Sequence, residues 1–223
     1  MHKESKTKIE INCNNFFSIM NSNLIRNYLI YDARALILIN TIKDWSKIKN
    51  INSNNKGYLS SYCYTLMTIY FLQRIKEPLL PIISSYNDLT NIKIDEKEYF
   101  IEKYLLQSSE LMKKWHTTNK EDTVTTLLLK WLIFYSYLFN EADYCIDISN
   151  KRLIYRFNEA LFLNTKDGDK KITAYCFIDM FDYTYNPGGY MEVDSTQHRI
   201  FKEVLKESIQ QLLEGKKEFF GQR

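Results

Sequence analysis

A chain of 223 residues that is 45% hydrophobic and 15% aromatic, with 17 Tyr and 13 Phe, has enough apolar area to offset the entropy of ordering, which excludes a disordered protein. With 30 basic and 27 acidic residues the net charge is only +3, so a polyanion could be held at a local site but not by the overall field of the molecule. The four cysteines, Cys13, Cys63, Cys145 and Cys176, form no Cys-x-x-Cys pair, which excludes a zinc ribbon and a disulfide framework and points to free thiols in a reducing compartment.

Six Gly and three Pro in the whole chain favour long helices over short strands joined by tight turns. The opening stretch Lys8 to Cys13 alternates polar and apolar residues like a strand with one buried face. A lone strand is not stable, and the rest of the sequence hardly supplies a sheet, so this stretch reads as a remnant of a preceding unit. Helical periodicity runs from Asn23 to Tyr31 and again from Asp32 to Lys49, with Leu38, Ile42, Trp45 and Ile48 on one stripe and Asp32 as N-cap. After a polar loop, Gly57-Tyr58-Leu59-Ser60-Ser61 joins a flexible glycine to hydroxyl residues suited to a helix start. The helix from Ser61 to Arg74 is apolar on nearly all sides and should be central, and Pro78 and Pro81 follow its end. The polar stretch from Ser84 to Lys120 carries one amphipathic helix near Glu98 to Lys114. A further helix is expected from Thr123 to Phe139, a short strand from Tyr144 to Ile148, an acidic aromatic loop from Asp179 to Tyr190, and a last helix from about Ser195 to Leu213. No apolar run approaches the length of a membrane span and no signal-like segment opens the chain, so the expected location is intracellular, in cytoplasm or nucleus, with no membrane partner.

Short motifs follow one another in this frame: Lys43-Asp44-Trp45-Ser46-Lys47, then Gly57-Tyr58-Leu59-Ser60-Ser61-Tyr62, then Leu66-Met67 and Phe71-Leu72-Gln73. In order and spacing the segment Asn21 to Gln73 resembles the DNA polymerase β-like nucleotidyltransferases of the terminal uridylyltransferase and noncanonical poly(A) polymerase group. Leu127 to Ile148 resembles the start of the poly(A)-polymerase-associated region, and Asp179-Met180-Phe181-Asp182 its acidic loop. The resemblance implies a mainly α fold with some α+β character. Residues 1–15 would be the last strand of a catalytic domain and residues 16–223 a central helical domain, with the associated region at about 123–190.

The implied roles agree with the chemistry of the residues. Lys43 and Lys47, four apart on a helix, would project two ammonium groups from one face toward nucleotide phosphates. Ser60 and Ser61 at a helix start offer hydroxyls and unpaired N–H groups at the positive end of the dipole. Tyr62 would stack on the base. Asn21 resembles the family's ribose-contacting asparagine, and Asn15 one near the base or the catalytic strand. Asp179 and Asp182 would reach the Watson–Crick edge from their loop. Tyr185 stands where uridylyltransferases of the family typically show a histidine, which leaves uracil and adenine both open.

Nucleotidyl transfer in this family uses two Mg²⁺ (or Mn²⁺) ions held by three carboxylates. Two belong to a Gly-Ser and Asp-x-Asp motif on an earlier strand, and this sequence contains no such motif before Glu10. Glu10 matches the third, catalytic and metal-binding position, although the family residue there is usually Asp, one methylene shorter. The expectation is thus the nucleotide-binding part of an enzyme that adds UMP or AMP to RNA 3′ ends. Its partners would be UTP or ATP, an RNA 3′ end and the missing catalytic domain. By itself the chain is expected to be inactive, a fragment of a larger polymerase; the alternative is a pseudoenzyme that serves as an RNA- or protein-binding scaffold.

Overall fold

Asp32 separates the first two helices. Its backbone is extended and its carboxylate accepts the Arg34 N–H at 2.8 Å, so α1 (Phe16–Tyr31) ends and α2 (Ala33–Ile48) begins where the N-cap reading places them. The computed structural model describes residues 16–83, 114–156, 162–164, 170–179 and 186–215. The expected strand at Lys8 to Cys13 lies outside them, as does nearly all of the helix expected at Glu98 to Lys114. Helix α1 begins at Phe16 rather than Asn23, because Met20 and Leu24 extend the buried stripe that continues to Tyr28. In α2 the buried stripe runs through Ala35, Leu38, Ile39, Ile42 and Trp45, while Ile48, expected to join it, is 41% exposed at the helix end.

A short 3₁₀ turn at Asn54–Lys56 closes on Gly57, whose φ of +78° is a left-handed conformation that favours glycine. Ser60 then caps α3 (Ser61–Arg74) by accepting the Cys63 N–H. Every residue of α3 from Cys63 to Gln73 is buried, as its all-round apolar composition predicts. Two of the polar side chains inside it are satisfied locally: the Thr65 and Thr68 hydroxyls donate to the Ser61 and Tyr64 carbonyls.

Thr123 caps α4 (Val124–Ile133), and the chain continues as a π turn at Phe134–Leu138, so the helix expected to reach Phe139 changes pitch before its end. The wider turn accompanies a dense aromatic cluster. Phe134, Tyr135 and Phe139 pack among Tyr70, Trp131 and Tyr175, and the Tyr135 hydroxyl donates to the Met67 carbonyl of α3 at 2.7 Å.

Two small sheets follow, more strand than the sequence advertises. β1 (Tyr144–Ile146), shorter than the expected Tyr144 to Ile148, pairs antiparallel with β2 (Ile154–Tyr155) and parallel with β5 (Cys176–Phe177). β3 (Phe162–Asn164) and β4 (Lys170–Ile172) form a separate antiparallel pair. The Arg156 guanidinium holds this region together through the Glu141, Thr173 and Ala174 carbonyls. Ser195 caps the closing helix, α5 (Thr196–Leu213), which packs on α4. Deep in the core the Trp45 indole meets Trp131 edge-on at 5.8 Å and donates to the Ser208 hydroxyl at 2.9 Å, joining α2, α4 and α5. The fold is mainly helical with two small sheets. Among the described residues no helix is long and apolar enough to cross a membrane, and the described cysteines, Cys63, Cys145 and Cys176, are free and buried.

Candidate functional site

Helices α1, α2 and α3 border an open cavity of about 570 Å³, within the ~300–1,000 Å³ range of small-molecule sites. α1 contributes Ser22, Ile25, Arg26, Leu29 and Ile30, α2 contributes Leu36 and Lys43, and α3 contributes Ser61, Tyr62 and Thr65. The wall is thus part aliphatic and part cationic. Among the described residues no Asp or Glu lines it.

Three of the expected residues, Lys43, Ser61 and Tyr62, meet in this one cavity. Two more are joined to it by hydrogen bonds. Asp179, just past β5 and 2% exposed, accepts at one carboxylate oxygen from the Tyr62 hydroxyl and from the Asn21 amide, each at 2.9 Å. A single buried carboxylate therefore links α1, α3 and the segment after β5. Asp179, expected to reach a base from its loop, holds the tyrosine and the asparagine in place.

The Ser61 hydroxyl accepts from the Asn52 amide at 3.1 Å, and the same amide donates to Ser46 on α2 at 2.8 Å, so the loop before α3 is fixed on both sides. Ser60 turns away from the cavity. Its hydroxyl accepts the Cys63 N–H and donates to the Cys63 sulfur, both at 3.2 Å. Burial pushes the Cys63 thiol up to about 11, so it stays neutral and donates to the Pro187 carbonyl at 3.2 Å. At the next residue, Gly188, a side chain would collide with the Phe177 ring, and this close approach seats the loop against β5.

Lys47, the expected second phosphate cation, does not line the cavity; it is exposed with its ammonium 3.8 Å from the Asp44 carboxylate. Arg26, which motif spacing does not single out, lines the cavity in its place. The pattern Ser22, Ile25, Arg26, Leu29 on α1 is the signal that could have found it, since residues three and four apart share a helix face. Glu10, Asn15, Asp182 and Tyr185 lie outside the described residues. Among the described residues no group of three or more His, Cys, Asp or Glu side chains could hold a metal ion.

The helical body with its small sheets is a nucleotidyltransferase fold of the Cid1 type. It matches Cid1, solved in complex with its short product ApU, with a TM-score of 0.69 at 21% identity, over 90% of this chain and 58% of that one. In sequence the chain is 30% identical to human terminal uridylyltransferase 7 over 164 residues, which are 71% of this chain and 11% of that protein. It is 29% identical to human poly(A) RNA polymerase GLD2 over 154 residues, 69% of this chain and 31% of that protein. The chain is thus similar to part of the terminal uridylyltransferases and GLD2 poly(A) polymerases, and it spans between about a tenth and a third of the curated relatives it matches. No protein-family model matches it.

Proposed function

We propose that this chain is the nucleotide-binding part of a template-independent RNA nucleotidyltransferase that adds uridylate or adenylate from UTP or ATP to RNA 3′ ends. The observation that carries the reading is the convergence of Lys43, Ser61 and Tyr62 on one cavity of nucleotide size. Tyr62 offers a ring for the base, held by the bond from its hydroxyl to Asp179. A tethered ring spends less entropy on stacking than a free one. Asn21, fixed by the same carboxylate, keeps its amide oxygen for a ribose hydroxyl. Lys43 and the start of α3 at Ser61 supply a cation and the positive end of a helix for phosphate. Activation of the RNA 3′-hydroxyl requires carboxylates beyond this cavity, of which Glu10 is the one this chain would supply.

The names of the relatives support the same chemistry: they are uridylyltransferases and poly(A) polymerases, and a terminal uridylyl transferase 4 from Trypanosoma brucei with this fold has been solved with UTP and UMP. Calorimetric titration of the full chain with UTP and with ATP tests the reading. Lys43→Gln and Tyr62→Ala should each weaken the preferred nucleotide about tenfold, the size of one charge-assisted contact or one stacked base. Wild-type protein that binds neither nucleotide, or variants that bind both as tightly as wild type, would overturn it.

A further inference from the structure

Arg26 and Lys43 come from different helices, line the same cavity and have no ion-pair partner among the described residues. Four other cations are engaged: Arg34 with Asp32 at 2.8 Å, Lys130 with Asp122 at 2.7 Å and Lys202 with Glu141 at 2.9 Å, while Arg74 lies over the Tyr70 ring; what sets Arg26 and Lys43 apart is that they line one cavity. We propose that Arg26 and Lys43 form a cross-helix clamp for phosphate, with Arg26 as its second cation. The proposal rests on the nucleotide-binding reading of the cavity and adds to it a residue that the motif spacing did not contain.

Three features of the cavity support the clamp. Among the described residues no carboxylate lines it, and Asp179 behind Tyr62 is occupied by the Tyr62 and Asn21 bonds. The Ser22 and Thr65 hydroxyls donate to the Ser18 and Ser61 carbonyls of their own helices at 2.8 and 2.9 Å, which leaves the guanidinium and the ammonium as the main donors facing an anion. Ile25, Leu29, Ile30 and Leu36 make the remaining wall aliphatic, and an apolar wall strengthens a charge interaction by lowering the local dielectric. Two like charges that line one cavity repel, and a bound anion relieves the repulsion. The planar guanidinium can take two phosphate oxygens at once, whereas the ammonium acts as a point charge.

The phosphate could belong to the incoming triphosphate or to the RNA strand, and titrations of the full chain separate these sources. The ligands are inorganic tripolyphosphate, a short oligouridylate with a free 3′-hydroxyl, and UTP and ATP; the proteins are wild type, Arg26→Gln, Arg26→Lys and Lys43→Gln. Arg26→Gln should weaken tripolyphosphate about tenfold if the clamp holds the triphosphate. If it holds the strand, the same variant should weaken the oligonucleotide about tenfold and reduce its salt dependence by about 0.7 in log–log slope. Arg26→Lys should recover part of the loss in either case. The clamp is overturned if Arg26→Gln binds both tripolyphosphate and oligonucleotide like wild type, even where Lys43→Gln does not. Wild-type protein that holds tripolyphosphate through Arg26 but neither UTP nor ATP would leave the clamp standing and remove the nucleotide reading. Arg26 is exposed, so its variants should melt with the wild type, and circular dichroism checks that they do.

Discussion

At Asp179 one buried carboxylate oxygen serves two donors from different helices. A buried charge is retained at a cost unless its hydrogen bonds offset desolvation, and here a phenol and an amide each donate one. Asp179→Asn removes the charge and leaves an amide oxygen, a weaker acceptor, for the two donors that share one carboxylate oxygen. We expect a loss of about 1–3 kcal/mol of stability in a denaturant titration, the range for disturbing a buried hydrogen bond, together with weaker UTP or ATP binding as Tyr62 and Asn21 lose their anchor. Tyr62→Phe separates the two effects, because it keeps the ring and cuts the tether. Its nucleotide affinity should fall between those of wild type and Tyr62→Ala; a Phe variant as weak as the Ala variant would show that the hydroxyl, and not the ring, makes the contact.

The elements show what a linear sequence can and cannot carry. Asp32, Ser60, Thr123 and Ser195 all accept a backbone N–H at the start of a helix, and each start was legible because capping is local chemistry that needs no knowledge of the rest of the fold. The strands were not legible in the same way. β2 and β5 are two residues long and β1, β3 and β4 three, too short for alternation to show, and their pairing is set by contacts distant in sequence. Within α3, Gln73 is the residue that fixes how the elements meet. Its amide donates toward the Tyr28 hydroxyl of α1 at 3.2 Å, the Pro81 carbonyl at 3.0 Å and the Ile148 carbonyl after β1 at 2.9 Å, all buried. Gln73→Leu fills a similar volume but leaves these acceptors without that donor. We expect it to cost about 2 kcal/mol or more, read as a lowered Tm, with Gln73→Glu no better because it substitutes an acceptor for the donor.

Across the whole molecule, the candidate site was legible where it rests on residues close in sequence and illegible where it rests on the packing of helices. Lys43, Ser61 and Tyr62 could be picked out from spacing, but which of Lys43 and Lys47 faces the cavity depends on the rotation of α2. That rotation is set by Leu38, Ile39, Ile42 and Trp45 burying against the other helices. The same helix-scale packing decides how α5 is locked to the body. Glu141, in the turn after α4, lies 2.9 Å from the Lys202 ammonium and 3.5 Å from the His198 imidazole, both on α5. The His198 Nδ1 accepts the Asp194 N–H at 3.3 Å, so the proton of the neutral ring sits on Nε2, toward the carboxylate. Burial alone would raise the Glu141 carboxyl, but the contacts with His198 and Lys202 outweigh it and hold the group at about 2, below its ordinary 4.5. Because the folded value is depressed, the stabilisation from Glu141 is complete above about 4.5 and is lost as pH falls from there through about 2. Glu141→Gln should therefore lower the melting temperature at neutral pH and flatten its decline between those limits. A variant whose melting temperature still falls in parallel with wild type across that interval would place the acid sensitivity on other carboxylates, and would show that α5 is held by the Trp45–Ser208 and aromatic contacts of the core rather than by this ion pair.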